Sequence, residues 1–330
     1  MILEKLKSIL QDPPPAMAFE ISEAGIAAAR IGHKAELEWQ PLKNGTLAVS
    51  PLKENVIDSD DYASAVRALA NTQTARKRKD VALILPDFSL RTAVVDFDSF
   101  PSDAKEQASL VRFRLKRSVP FDVESAALSY WPQPVGQRVD VVVVMAPIEI
   151  VSRFEAPFRS AGMIPGLVTT SSLAALELAP EAGLSVVAKL TGHVLTVLVR
   201  DKGVLKLVRC LELPSTQLED MSGVLIPTFV YVEDNFGRRA ERLMLCGFDS
   251  QTSEAQRRFG EELEVEVEPL RSALGMPARP TRDCWDTCGP SPGTIEGEVR
   301  SQETGVRIRP APSRGWSVRT SGFREWIRWV

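Results

Sequence analysis

One supersecondary pattern occurs twice in this 330-residue chain. Residues 16–42 predict three short strands with turns at Ser22–Gly25 and Gly32–Lys34, followed by a helix and a further strand. Residues 184–212 repeat the reading, with turns at Thr191–His193 and Asp201–Gly203, again followed by a helix and a strand. A βββαβα unit used twice implies two facing α/β lobes, each with its own core, and a cleft between them. Proteins of that shape usually hold nucleotide in the cleft. The residues at its turns therefore decide what chemistry remains.

The composition of the whole chain is ordinary for a soluble globular protein, with 44% hydrophobic and 25% charged residues. A net charge of −3 makes neither nucleic acid nor an acidic membrane an obligatory partner. No apolar run approaches the ~20 residues that span a bilayer. Cys284 and Cys288 lack both the CxxC interval and a nearby His, which argues against zinc. Cys210 and Cys246 fall in apolar runs, as buried thiols do, and the implied compartment is reducing and cytoplasmic. His33 and His193 both fall in turns, and no nucleophile–base set assembles around either. Residues 1–15 form a lead-in. Ile2, Leu3, Leu6, Ile9 and Leu10 share one face of a short helix, and Glu4, Lys5 and Lys7 interrupt any signal-peptide core. That face suits packing on another lobe, or a membrane surface; Pro13-Pro14-Pro15 then forms a stiff spacer.

In the first lobe (residues 16–180), Asp58, Ser59 and Asp60 are candidate caps for a helix whose stripe is Tyr62, Ala65, Val66 and Leu69. Ala75–Lys79 reads as a solvated basic connector, and Val81–Leu85 as a buried strand ended by Pro86-Asp87. Residues 87–165 read as an inserted α+β subdomain. Its parts are a strand at Arg91–Asp98, a helix opened by Pro101-Ser102-Asp103 and running to about Arg117, strands at Ala126–Pro132 and Val139–Ala146, and a helix at Ile148–Ala161. Arg112, Arg114, Lys116 and Arg117 give the first of those helices a basic side. With Phe113 the aromatic residue among them, a solvated or partner-facing surface fits better than a phosphate-binding one. The second lobe (residues 181–275) continues with a helix over Ser215–Phe236, kinked or broken at Pro227. After it come a buried strand at Arg242–Cys246 ending at Gly247, a helix at Thr252–Gly260 and a strand at Glu264–Glu268.

Three stretches together resemble the PilM family, the actin-like cytoplasmic proteins of type IV pilus assembly. They are Arg117-Ser-Val-Pro-Phe-Asp-Val-Glu-Ser-Ala-Ala-Leu-Ser-Tyr130, Val142-Val-Val-Met-Ala-Pro147 leading to Ala161-Gly-Met-Ile-Pro-Gly166, and Glu241-Arg-Leu-Met-Leu-Cys-Gly-Phe248. The resemblance covers roughly residues 16–275. It implies an actin/FtsA-like (ribonuclease H-like) two-lobed α/β fold with the subdomain inserted in the first lobe. It also implies a partner, the short cytoplasmic N-terminal segment of a bitopic inner-membrane protein, PilN, and a cytoplasmic location peripheral at the inner membrane.

The departures from the family matter as much. An actin-like ATPase needs, in each lobe, a glycine hairpin that lets backbone N–H groups reach the phosphates, and an Asp that organises Mg²⁺. In Phe19-Glu-Ile-Ser-Glu-Ala-Gly25 the family's Asp is Glu20 and its Gly is Ser22; Gly25 supplies the turn, and Glu23 adds a charge that repels phosphate. In Val187-Ala-Lys-Leu-Thr-Gly-His193, Lys189 stands roughly at the Asp position, before Thr191 and Gly192. The glycines expected near adenosine are reduced to Gly247. Together these imply a lost or severely weakened nucleotide site, no resident cofactor, and a scaffold rather than an enzyme. The rival is an ATPase that binds ATP and Mg²⁺ through atypical loops. By the same resemblance the partner surface involves Arg112, Arg114, Pro120, Phe121 and Asp122; a plainer reading makes Phe121 a core anchor and Pro120 a helix stop. Self-association is a further expectation, since proteins of this fold can form filaments.

From about Met276 the character changes. Trp285, Trp316, Trp326 and Trp329 fall in an Arg-, Pro- and Gly-rich stretch without hydrophobic periodicity. Residues 276–330 read as an irregular tail. One codon choice for Arg279–Cys288, read in a shifted frame, yields Ala-Asp-Ala-Gly-Leu-Leu-Gly-Tyr-Val, which resembles an ending common in PilM-like proteins. The expectation is a frameshift near codon 278, which the gene sequence decides.

Overall fold

The computed structural model describes Pro15 and residues 17–30, 36–71 and 80–271. The helix read in residues 1–14, the Gly32–Lys34 turn with His33, the connector Ala75–Lys79 and the tail after residue 275 lie outside them.

The first sheet has the order β3-β2-β1-β4-β8. Its strands are β1 (Met17–Ser22), β2 (Gly25–Arg30), β3 (Glu36–Pro41), β4 (Asp80–Leu85) and β8 (Ile164–Thr170). The first three form an antiparallel meander, and β1, β4 and β8 run parallel. Helix α1 (Ser59–Asn71) starts where the Asp58 carboxylate accepts from the Asp60 and Asp61 N–H groups at 3.1 and 2.9 Å. It buries Tyr62, Ala65, Val66 and Leu69, as the spacing requires. Tyr62 and Phe19 meet Phe154 and Phe158 in edge-on ring contacts with centroids 4.9–6.4 Å apart, which give this core a defined geometry.

The second sheet repeats the plan as β11-β10-β9-β12-β13. Here the strands are β9 (Leu184–Thr191), β10 (Val194–Asp201), β11 (Val204–Glu212), β12 (Arg242–Cys246) and β13 (Glu266–Pro269). Helices α5 (Leu218–Phe236) and α6 (Thr252–Leu263) cover one face. Of the two readings at Pro227 the break is not seen: α5 continues through it, with Pro227 on its exposed side.

The insertion is smaller than residues 87–165. Strands β5 (Arg91–Phe97), β6 (Ala126–Val135) and β7 (Arg138–Pro147) form a separate sheet, β5-β7-β6, backed by α2 (Ala104–Leu115). Helix α3 (Ile148–Ser160) leaves it, because Ile150, Phe154 and Phe158 complete the first lobe's core. β6 continues past Pro132 and Pro134. As an edge strand it tolerates residues without an N–H.

The lobes are packed together. Short helix α4 (Ser171–Leu176) follows β8 and lies against Val187, Leu198, Met244 and Cys246 on the inner face of the second sheet. Arg200, 2% exposed by side chain, donates to the carbonyls of Leu176 and Ala179 at 3.0 Å and so caps α4 from the opposite lobe. The Gln133 side-chain amide exchanges two 2.9 Å hydrogen bonds with the Leu205 backbone at the edge of β11. Lys206 pairs with Asp140 at 2.7 Å.

Candidate interlobe site

The duplication is exact enough in register to align the two hairpins residue by residue. Ser22 pairs with Gly25 at the first tip, and Thr191 with Val194 at the second. Counting back two residues in each strand gives Glu20 opposite Ala27, and Lys189 opposite Thr196. Glu20 and Lys189 are thus structural equivalents, one in each lobe. The parallel neighbours agree, since Glu20 lies beside Ile84 and Lys189 beside Cys246.

Across the cleft these equivalents meet. The Lys189 side chain is 2% exposed, with Nζ 3.9 Å from Glu20 Oε1 and 4.0 Å from Asp87 Oδ2, and it donates to Thr191 Oγ1 at 2.8 Å. The Ser171 hydroxyl donates to Glu20. Asp87 accepts from the Ser172 N–H at 2.7 Å and from the Thr196 hydroxyl at 3.2 Å. A buried ammonium is tolerable only when opposite charge and hydrogen bonds replace its water, and two carboxylates and a hydroxyl do so here. The arrangement joins β1, the turn after β4 and the start of α4 to β9 and β10. Beside it, burial first and then the Asp87 carboxylate push the Cys210 thiol up to about 12.

The remaining loop residues serve the fold. The Ser22 hydroxyl donates to its own turn, at the Gly25 carbonyl, 3.0 Å away. A Cβ on Gly25 would collide with Trp39 and the Gln40 carbonyl of β3, so a neighbouring strand explains that glycine. Gly247, at φ +76°, runs against the Leu190 carbonyl, where a Cβ would clash with backbone. The two tips face each other. Glu23 Oε1 accepts from the Val49 N–H at 3.0 Å, and its Oε2 lies 3.7 Å from where a Gly192 Cβ would stand. His193 is exposed in the turn.

Sequence reasoning picked out Glu20 and Lys189 but took Asp87 for a strand ending and missed Ser171, Ser172 and Thr196. One signal was available. Asp87 and Asp249 stand three residues beyond Ile84 and Cys246, and each opens a 3₁₀ turn, Asp87–Ser89 and Asp249–Gln251. Among the described residues no three His, Cys, Asp or Glu side chains group as metal ligands. Glu20 and Asp87 share the cleft with an ammonium rather than with a third carboxylate.

The expected partner residues separate into two kinds. Arg112 donates to the Ala126 carbonyl at 3.1 Å, and Phe121 packs against the insertion's core. Asp122 holds the turn before β6 by accepting from the Glu124 and Ser125 N–H groups and the Ser125 hydroxyl; the last of these keeps its carboxyl below the usual range. Pro120 is exposed, Arg114 lies 3.7 Å from Asp96, and Phe113 is 79% exposed.

Solved structures share this architecture. The chain is similar to the structure described as the PilM-PilN type IV pilus biogenesis complex, with 19% identity, 79% of this chain and 89% of that chain covered, and a TM-score of 0.62. It is also similar to a Bacteroides thetaiotaomicron protein with actin-like ATPase fold and unknown function, with 13% identity, coverages of 77% and 89%, and a TM-score of 0.47. A third is the cytoplasmic domain of EpsL, an inner membrane component of the Vibrio cholerae type II secretion system, with 13% identity, coverages of 69% and 80%, and a TM-score of 0.45. No protein-family model matches the chain. No curated protein matches it in sequence. The first likeness establishes the actin-like two-lobed fold, and in that fold the chain resembles PilM.

Proposed function

We propose that the chain is a non-catalytic adaptor of a type IV pilus or related secretion assembly platform. It docks the cytoplasmic segment of a PilN-like inner-membrane protein and is held at the inner membrane through that partner. The fold it shares with a PilM-PilN complex supports the assembly role. The docking surface lies on the insertion, where Phe113 is an exposed apolar anchor next to Arg114 in the last turn of α2 and Pro120 is exposed in the segment that follows. Among the described residues no helix is long and apolar enough to cross a membrane, which suits attachment through a partner.

One observation carries the non-catalytic half of the proposal: the Lys189 ammonium stands between Glu20 and Asp87. A nucleotide–Mg²⁺ complex entering this cleft must compete with that cation for both carboxylates, and break the Ser171, Thr191 and Thr196 bonds. The alternative, an ATPase using Lys189 as a phosphate contact, makes the opposite prediction in a thermal-shift titration. A site with Kd near 10 µM would add about 2.7 kcal/mol at about 1 mM MgATP, a shift of several degrees. The expected result is no shift and no retention of the chain on immobilised ATP; a saturable rise would overturn the adaptor reading. Capture on a PilN-type N-terminal peptide, lost on Phe113→Glu with Arg114→Glu, checks the docking half separately.

A further inference from the structure

The outer side of the second lobe carries an apolar stripe that the described residues leave uncovered. α5 turns Met221, Leu225 and Val232 into the core. On its opposite side Gly223, Ile226, Pro227, Val230 and Tyr231 follow at intervals of three and four, and Ile226, Val230 and Tyr231 are 43%, 54% and 43% exposed. A solvent-facing helix side normally carries charged residues at such positions. The charges α5 does have are all acidic: Glu219 pairs with Arg258, Glu233 with Arg239, Asp220 accepts from the Ser215 hydroxyl, and Asp234 is exposed one turn on from Val230 and Tyr231. Pro227 has no N–H, so the Gly223 carbonyl one turn earlier loses its helical donor. Open space surrounds Gly223, which leaves a notch with an acceptor in it. The occupant that fits is a short apolar helix carrying cationic donors.

We propose that this face receives residues 1–10 of a second copy of the chain, joining copies head to tail. That segment, Met-Ile-Leu-Glu-Lys-Leu-Lys-Ser-Ile-Leu, has five aliphatic residues at helical spacing and the ammonium groups of Lys5 and Lys7 beside them. Its apolar side matches the stripe, and its net positive charge suits Asp234, exposed on the same side of α5 as Val230 and Tyr231. Reach requires a second copy. β1 runs toward the cleft and begins six residues, roughly 20 Å, behind it. α5 lies beyond the second sheet, on the face turned away from the first lobe, at least another 10 Å on by ordinary layer spacing. Residues 11–16 extend about 20 Å at most, short of that combined distance. A contact between two different surfaces does not close on itself, so it builds a chain of copies.

The proposal goes beyond the adaptor reading and uses none of its residues, so either can fail alone. Three full-length proteins test it by sedimentation velocity up to about 100 µM, a range in which a contact worth about 6 kcal/mol is visible. They are the wild type, Leu3→Glu with Leu6→Glu, and Val230→Glu with Tyr231→Glu. The wild type should show an average mass rising with concentration, and each variant alone should remain monomeric. An equimolar mixture of the two variants should give dimers and nothing larger, because each supplies the half that the other lacks. A monomeric wild type, a variant that assembles like the wild type, or a mixture that stays monomeric would each overturn the proposal. So would binding of residues 1–10 to anionic vesicles without self-association. Ile226→Glu is a second probe of the same face, and all these positions on α5 are exposed, so the fold tolerates them.

Discussion

The two lobes are copies in topology and opposites in charge. Strand order, hairpin register and the 3₁₀ turn after the fourth strand correspond, yet the equivalent positions hold Glu20 and Lys189, and the equivalent hairpin tips hold Glu23 and Gly192. In an actin-like ATPase both lobes present groups suited to one shared nucleotide–metal complex. Here one lobe presents acid and the other base, and they satisfy each other. The divergence extends to the next pair, for Asp87 is buried and bonded across the cleft while Asp249 is exposed. Duplication preserves backbone geometry more readily than chemistry, because the ladder hydrogen bonds do not depend on which side chain a strand carries.

The most disruptive test of this complementarity removes its cation. Lys189→Met should leave Glu20 and Asp87 without a counter-charge and cost about 3–5 kcal/mol, read as a fall in urea midpoint. Adding Glu20→Gln should restore part of the loss. If Lys189→Met costs less than about 1 kcal/mol, the lobes are held by packing alone and the comparison fails. A smaller effect is expected from Gly247→Ala. The first lobe carries Leu85 at the equivalent position, but Gly247 has φ +76° and abuts the Leu190 carbonyl. The substitution should cost about 1–3 kcal/mol through strain and displacement of β9 near Lys189.

The gentlest test uses Cys210. Its folded value of about 12 lies above the ordinary thiol value of 9.0. The stabilisation from keeping the thiol protonated is therefore complete below about pH 9 and lost as pH rises toward 12. Cys210 should resist iodoacetamide at pH 8 in the folded protein, as followed by mass spectrometry. Asp87→Asn removes a nearby negative charge, so it should lower that value and speed alkylation. Unchanged kinetics would mean that Asp87 exerts no influence on the second lobe at this point.

Much of the fold was legible because alternation and turn residues report on their own neighbourhood. Val81–Leu85 lies in a buried strand that begins one residue earlier, at Asp80, and Arg242–Cys246 is a strand with the bounds its sequence predicts. The Tyr62-Ala65-Val66-Leu69 stripe is buried in full. The misreadings have local causes. Pro227 and Pro132 suggested interruptions, but the helix and the strand continue past them, Pro227 on the exposed side of α5 and Pro132 in an edge strand. Helix α3 was assigned to the insertion because chain order does not say which core Phe154 and Phe158 enter.

The sequence alone determined the duplicated meander, the insertion, and the unusual identities of Glu20 and Lys189, since each is a statement about residues close in the chain. Only the tertiary structure decided that Lys189 faces Glu20 and Asp87, that Arg200 caps a helix of the opposite lobe, and that Gln133 seals the edge of β11. Those contacts join residues far apart in the chain, and which of them form depends on how the two sheets seat against each other. No periodicity along the chain encodes that seating directly, because it is selected by the combined burial, charge and hydrogen bonding of both lobes at once.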